Sequence, residues 1–489
     1  MKLKDLLKGV AFLNLHGNEK EEIQGIAYSS KNVKNGFLFA ALKGAKENGF
    51  DFIEEALARG AAAILSERPR PDNIEKIWIQ VSEARQALAL ASANFYSHPS
   101  DKMKVIGITG TKGKTTVTYL LESIIKKSNF HPAVIGTISY RWPNNTISAE
   151  RTTPEAPDLQ RMLSEMASQG VTHCMIEVSS HALDLKRVLG IGFDVAVFTN
   201  LSGEHLDYHH SLESYFEAKK KLFFLNHKKR TAVVNLDDSW GKKLIAELRN
   251  EEVLTYGLEP SAQVSGENFK FSQKGIELSV RYPEGKLTVF SALLGMPNVY
   301  NILASISAAL ALNIPPASIK KGISSLQGVP GRFERVENPF GFNIFVDYAH
   351  TDNALRNLLE TVRGLSPKRI FLVFGAGGDR DKTKRPRMGE VAAELADMSI
   401  LTSDNPRSED PLAIISGIEK GIKKTGNKNY KILTDRKEAI EYALSLLEKG
   451  DYLVVAGKGH ENYQIFKDKT IPFDDAEVIR KILKEKKSS

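Results

Sequence analysis

The chain of 489 residues has one cysteine, Cys174, so no disulfide can form within it, and a reducing compartment is the expectation. Cys174 sits in the apolar run Val171 to Val178 and reads as an inert buried thiol. Long hydrophobic runs are also missing. The most apolar long stretch, Ile302 to Pro315, is rich in Ser and Ala and too short for about 30 Å of hydrocarbon. At the start, Lys8 interrupts the apolar stretch and no small-residue cleavage site follows, so no signal peptide is expected. Neither a basic stripe interleaved with aromatics nor a nucleic-acid module is found. These absences predict a cytoplasmic protein with no nucleic-acid partner and no membrane insertion; that it is a monomer is a separate expectation.

What is present is ordinary globular composition, 42% hydrophobic and 26% charged, which excludes collagen-like, coiled-coil and largely disordered chains. Lys and Arg (67) exceed Asp and Glu (59), giving a net charge of +8. With nucleic acid and membrane set aside, small anions become the favoured partners. The densest basic run, Arg480 to Lys487, reads as a solvated helix end.

At about 150 residues per domain, the length suggests about three domains. Residues 1–100 mix short strands (Phe37 to Ala41, Ala61 to Leu65, Ile77 to Val81) with helices (Phe52 to Arg59, Ser82 to Tyr96) and read as a small α/β domain. Residues 101–330 alternate apolar strands (Val105 to Thr109, His173 to Glu177, Val195 to Thr199, Ala232 to Asn235) with amphipathic helices. That is the grammar of a mostly parallel sheet. The helix after the first of these strands puts Val117, Leu120, Leu121, Ile124 and Ile125 on one face. Gly328-Val-Pro-Gly-Arg-Phe-Glu334 suits a hinge. Residues 331–489 then form a second βα series, with strands at Ile344 to Tyr348, Ile370 to Phe374, Ser399 to Thr402 and Tyr452 to Ala456. It resembles a Rossmann-like doubly wound sheet, whose ligands bind beyond the carboxyl ends of the strands.

Gly110-Thr111-Lys112-Gly113-Lys114-Thr115-Thr116 lies between an expected strand and an expected helix, the context a phosphate loop needs. Its glycines let backbone N–H groups face phosphate, Lys114 can reach the β- and γ-phosphates, and Thr115 can ligate Mg²⁺. The loop departs from the eight-residue form, with Ile108 five positions before Gly113 and Gly107 one residue earlier.

The variant Gly-Ile-Thr-Gly-Thr-Lys-Gly-Lys-Thr-Thr resembles the loop of the ATP-dependent Mur ligases and their folylpolyglutamate synthetase relatives. Further motifs occur in that family's order: Glu177-Val-Ser-Ser-His181, Thr199-Asn200-Leu-Ser-Gly-Glu-His205-Leu-Asp207, Ala218-Lys219-Lys-Lys-Leu-Phe223, Asn298-Val-Tyr-Asn301, Gly331-Arg332-Phe-Glu and Val346-Asp347-Tyr-Ala-His350. The resemblance implies three domains: a UDP-binding domain, an ATPase domain with a phosphate loop, and an amino-acid-binding domain. It implies Mg²⁺ held by Thr115, Glu177, His205 and Lys219, the lysine as a carbamate formed with CO₂. Only a neutral amine can take up CO₂, so Lys219 needs a depressed pKa. By the same resemblance Asn301 faces the adenine, Arg332 the γ-phosphate across the hinge, and Asp347 the ribose.

The resemblance also places UDP-MurNAc-dipeptide at Ser30, at Leu42-Lys-Gly-Ala45-Lys46-Glu-Asn-Gly49, and at Thr152, Thr153, Ser179 and Arg187. Ala45 and Leu185 depart from polar positions of the family. Asp404-Asn405-Pro406-Arg407 matches the loop of members that add meso-diaminopimelate, with Arg380, Gly457 and Glu461 as its companions. A guanidinium fork suits the second carboxylate that lysine lacks, and Glu461 suits an ammonium. The expected activity is ATP-dependent amide formation on the D-Glu γ-carboxylate of UDP-MurNAc-L-Ala-D-Glu through an acyl phosphate. Alternatives are the same ligation with L-lysine, a phosphotransferase acting on a hydroxyl, and a non-catalytic ATP-dependent binding protein. The loop Gly375-Ala-Gly377-Gly378-Asp lacks full dinucleotide spacing, which sets aside an oxidoreductase.

Overall fold

A computed structural model describes residues 1–44, 47–225, 229–249 and 252–488. Ala45 and Lys46 of the expected UDP segment lie outside the described residues. The chain divides into two compact units: the first takes 1–265, 281–285 and 301–322, and the second 266–280, 286–300 and 323 onward.

The first unit contains two sheets. The smaller runs in the order Asn14–His16, Ile77–Gln80, Ala63–Ser66, Phe37–Ala40, Gly25–Ala27, parallel except for its first pair. Side chains alternate across it. Leu38, Ala40, Ala63 and Leu65 pack with Leu88 and Ala91 of the helix Ala84–Phe95, while Phe39, Ile64 and Trp78 pack with Ile53 and Ala56 of the helix Ile53–Ala58. The edge strands Asn14–His16 and Gly25–Ala27 are absent from the sequence reading. Each is only three residues long, too short for periodicity to register.

In the larger sheet, successive neighbours are Glu252–Gly257, Thr231–Asn235, Val195–Phe198, Lys104–Thr109, His173–Glu177 and Pro132–Ile135, all parallel. The antiparallel strands Ser139–Trp142 and Asn145–Ser148 follow at that edge. Thus Lys104–Thr109, first of the parallel strands in sequence, lies between His173–Glu177 and Val195–Phe198. Their carboxyl ends meet at one edge, with Glu177 opposite Ile108 and Phe198 opposite Thr109. The helix Lys114–Lys127 buries Val117, Leu120, Leu121, Ile124 and Ile125, the face that periodicity selected. The helix Leu212–Lys220 tightens to a 3₁₀ turn over Lys221–Phe224.

The second unit holds a sheet in the order Glu334–Arg335, Asn343–Asp347, Tyr452–Ala456, Ile370–Phe374, Met398–Leu401, Tyr430–Ile432, parallel apart from its first pair. Helices cover both faces. Leu355, Leu359, Met388 and Ile418 pack on Leu372 and Phe374, and Ala439, Ile440, Ile479 and Leu483 pack on Phe371 and Val373. Burial on both faces explains why these strands read as continuous apolar runs. Glu334 belongs to a short strand, so the expected hinge ends in regular structure. In the closing helix Asp475–Ser488, Arg480 pairs with Glu334 at 3.2 Å. Among the described residues no helix is long and apolar enough to cross a membrane.

Candidate active site

In the first unit the loop after Lys104–Thr109 is the focus. Gly110 (φ +142°) and Gly113 (φ +91°) adopt backbone that side chains disfavour, and added methyls would strike Thr199 Oγ1 and Asn301 Oδ1 respectively. The segment after Val195–Phe198 braces the loop. Asn200 O accepts from Thr111 N at 2.8 Å, Asn200 Oδ1 from Lys112 N at 3.0 Å, and Thr199 Oγ1 donates to Lys112 O at 2.7 Å. Lys112 Nζ pairs with Glu204. Thr115 and Thr116 are buried at the start of the helix.

The Lys114 ammonium folds back onto the carbonyls of Gly110 (2.8 Å) and Thr111 (3.0 Å). Lys219 reaches the same Gly110 carbonyl at 2.8 Å from the helix Leu212–Lys220. It is 1% exposed, and burial, with Lys114 adding repulsion, pushes its pKa well below the ordinary lysine range. Its neighbours differ: Lys220 pairs with Glu217 (2.6 Å) and Glu247 (2.8 Å), and Lys221 with Asp184 (2.8 Å).

Glu177 is also 1% exposed. Its carboxylate accepts from Thr115 Oγ1 (3.0 Å), Thr137 N (3.0 Å) and Thr137 Oγ1 (2.9 Å). All three donors are neutral, so none of them cancels its charge. A carboxylate beside a hydroxyl at a phosphate loop is a donor set that fits hard Mg²⁺, which takes its remaining ligands from phosphate and water. Among the described residues no three of His, Cys, Asp and Glu form a ready-made metal cage. His205 holds φ +58°, with its ring 5.2 Å from that of His181 and 6.0 Å from that of Tyr215. Asn301, on the helix Met296–Ala311, is buried against Gly113.

The expected acceptor residues form a connected group. Thr152 Oγ1 meets Thr137 Oγ1 at 3.1 Å, Thr153 Oγ1 donates to Glu177 O at 2.7 Å, and Ser179 N donates to Thr153 Oγ1 at 3.1 Å. Arg187 donates to Thr153 O (3.0 Å) and pairs with Glu155 (2.9 Å), a carboxylate shared with Arg85 (3.3 Å) and Arg151 (3.0 Å). Ser30 donates to Glu55 at 2.7 Å. Sequence reading missed Thr137, because the antiparallel strands beside it went unrecognised, and Glu155, which carries no motif.

In the second unit the strand ends bear the remaining residues. The Arg332 guanidinium lies 4.7 Å over the Tyr348 ring, and Asp347 accepts from Phe333 N (2.6 Å) and Ala349 N (2.8 Å). Arg407, at φ +53°, donates to Gly378 O at 2.7 Å. A methyl on Gly377 would lie 3.0 Å from Arg407 Nη1 and 3.8 Å from Arg380 Cγ, so both arginines border one small residue. Asp404 Oδ2 lies against Gly457, where a side chain would collide with it. Pro406 is buried, and its carbonyl occupies the space a Gly378 side chain would need. Asn405 Nδ2 donates to Glu461 Oε2 at 2.7 Å. Fully buried Lys458 donates to Glu461 (3.3 Å) and Asn405 (3.4 Å), a third member of this cluster between the expected residues Gly457 and Glu461.

Three family models match in succession: "Mur ligase family, catalytic domain" over residues 22–96, "Mur ligase middle domain" over 108–309 and "Mur ligase, glutamate ligase domain" over 331–459. A UDP-N-acetylmuramoyl-L-alanyl-D-glutamate–2,6-diaminopimelate ligase of Caldanaerobacter subterraneus subsp. tengcongensis is 46% identical over 485 residues, 99% of each chain. One of the same name from Solibacter usitatus is 45% identical, covering 95% of this chain and 94% of its own. A solved structure of a ligase of that name matches with TM-score 0.72 and 33% identity over 100% of both chains. The MurF ligase of Thermotoga maritima, solved with ADP, shares the fold at TM-score 0.62 and 21% identity, covering 95% of this chain and 98% of its own. End-to-end identity at this level, with family models along most of the length, shows that the chain belongs to the Mur ligase family of ligases.

Proposed function

We propose that this chain joins meso-2,6-diaminopimelate to the D-Glu γ-carboxylate of UDP-MurNAc-L-Ala-D-Glu at the expense of ATP, in cytoplasmic peptidoglycan precursor synthesis. The observation that carries the reading is the pairing in the second unit of a two-arginine border at Gly377 with the carboxylates of Asp404 and Glu461. A zwitterionic amino acid with an additional carboxylate needs both signs of charge, and lysine would leave an arginine without an anion.

In this proposal residues 1–100 bind the UDP moiety, 101–330 ATP and the acceptor peptide, and 331–489 the amino acid. The three larger sheets fall one within each of these ranges, which supports that division. The N–H groups of Gly110 to Thr116 cradle the phosphates, and Lys114 exchanges its loop carbonyls for phosphate oxygens. Asn301 contacts adenine, Asp347 the ribose and Arg332 the γ-phosphate. Ser30 contacts UDP, while Thr152, Thr153, Ser179 and Arg187 orient the dipeptide. Glu177, Thr115, His205 and a carbamate on Lys219 hold Mg²⁺, which neutralises phosphate charge when bound. Burial pushes the Lys219 pKa down and so favours the neutral amine, the form that adds CO₂ and releases a proton. The acceptor carboxylate takes the γ-phosphoryl group to give an acyl phosphate and ADP. The diaminopimelate amine then attacks its carbonyl, phosphate leaves, and the amine gives up a proton.

The test is mass spectrometry of the product from ATP, UDP-MurNAc-dipeptide and an equimolar mixture of diaminopimelate and lysine. An adduct of diaminopimelate is expected; a lysine adduct, or a phosphorylated acceptor with no amide, would refute the reading.

A further inference from the structure

Arg436 and Asp475 have no part in the chemistry above, yet both are buried to the limit, Arg436 at 1% and Asp475 at 0% exposure. Arg436 Nε donates to Asp475 Oδ1 at 2.7 Å and Nη2 to Oδ2 at 2.8 Å, a bidentate pair between the first residues of the helices Arg436–Ser445 and Asp475–Ser488. A buried ion pair is weak evidence for stability, because desolvating two charges offsets most of their attraction and apolar replacements are often tolerated. Its remaining donors show what else it does. Nη2 donates to Ala456 O at 3.0 Å and Nη1 to Ser403 O at 3.4 Å.

Those carbonyls belong to the residues immediately before Gly457 and Asp404. The strands that lead to them, Tyr452–Ala456 and Met398–Leu401, are not neighbours, because Ile370–Phe374 lies between them. No ladder hydrogen bond joins the two directly, and across an intervening strand their separation is about 10 Å. Arg436 spans that gap with one planar group. Gln464 adds a second hold on the same loop, donating to Asp404 O at 3.0 Å and Ser403 O at 3.4 Å.

We infer that Arg436, fixed by Asp475, is a positioning residue that sets the spacing between the Asp404–Arg407 loop and the Gly457–Glu461 loop, and so the fit of the amino-acid substrate. The inference rests on the proposed diaminopimelate pocket. Removing the clamp lets the two loops separate, so both the acidic and the basic sides of the pocket lose register while the nucleotide residues of the first unit keep theirs.

The test compares three full-length variants by steady-state kinetics with each substrate varied in turn. The double variant Arg436→Met with Asp475→Leu removes the pair without stranding a charge. It is expected to fold, to keep its KM for ATP and for UDP-MurNAc-dipeptide, and to raise the KM for diaminopimelate at least about tenfold with a narrowed preference over lysine. Arg436→Lys keeps the charge but cannot reach four acceptors, so a smaller rise in the same KM is expected. It carries the decision if the double variant does not fold. An unchanged diaminopimelate KM in the folded variants, or an equal rise for all three substrates, overturns the inference. Arg407→Ala runs in parallel. If it raises the diaminopimelate KM while the Arg436 variants do not, only the clamp is wrong; if it too has no effect, the pocket is wrong and the clamp falls with it.

Discussion

Three consecutive lysines show how much one position differs from the next. In sequence Lys219, Lys220 and Lys221 form a charge run that reads as a solvated face. In the folded chain only Lys219 turns inward, onto the Gly110 carbonyl, while the others pair with surface carboxylates. Lys219→Ala is therefore expected to lower kcat by at least about a hundredfold, whereas Lys221→Ala stays near parental activity. Parental turnover in Lys219→Ala, with the fold checked by circular dichroism, would remove it from the mechanism. In the proposed amino-acid pocket, Arg407→Ala would leave the distal carboxylate of diaminopimelate without its fork. Losing a charged hydrogen bond of roughly 1.5–3 kcal/mol predicts a KM for diaminopimelate raised about 10- to 150-fold and weaker discrimination against lysine. Competition between the two amino acids in one assay reads that ratio directly.

Loops at strand ends carry the next level of constraint. Gly113 takes φ +91° at the start of the helix Lys114–Lys127, and a methyl there would meet the Asn301 amide. Gly113→Ala is expected to weaken ADP binding by about tenfold or more, measured by calorimetry, because the loop must open to admit the Cβ. In the second unit, Glu409 fastens the loop after Ile370–Phe374. Arg385 donates to it at 3.0 and 2.9 Å and Asp379 N at 2.6 Å. The Arg385 guanidinium beside it holds the Glu409 pKa down to about 2. The folded value lies below the ordinary one of about 4.3, so this interaction stabilises the fold above that pH and is lost as pH falls toward 2. Thermal melts should show Glu409→Gln less stable than the parent at pH 7, with the gap narrowing below about pH 4. A gap independent of pH would contradict this.

For the molecule as a whole, the two sets of residues predict separate footprints. In hydrogen exchange, ADP is expected to protect 110–127 without 404–407, and diaminopimelate to protect 404–407 and 457–465 without 110–127. Protection of the phosphate loop by diaminopimelate alone would contradict the assignment. The same division marks what was legible beforehand. Parallel strands such as Ile370–Phe374 were legible because burial on both faces writes them as apolar runs, and the phosphate loop because its glycines answer a local backbone need. The edge strands Asn14–His16 and Asn145–Ser148 were not, since short or exposed strands leave no periodic trace.

By itself, then, the sequence determined the α/β class, the alternation of strand and helix, and the identity of the motif residues, all of which depend on neighbours within a few positions. Only the tertiary structure decided which lysine of three is buried, that Thr137 and Glu155 join the acceptor group, and that Arg436 reaches two strand ends. Each of these depends on the order in which elements pack, as where Ile370–Phe374 lies between Tyr452–Ala456 and Met398–Leu401. Such neighbours lie tens of residues apart along the chain. Burial and pairing at that range are set by the packing of whole elements, which no local pattern encodes.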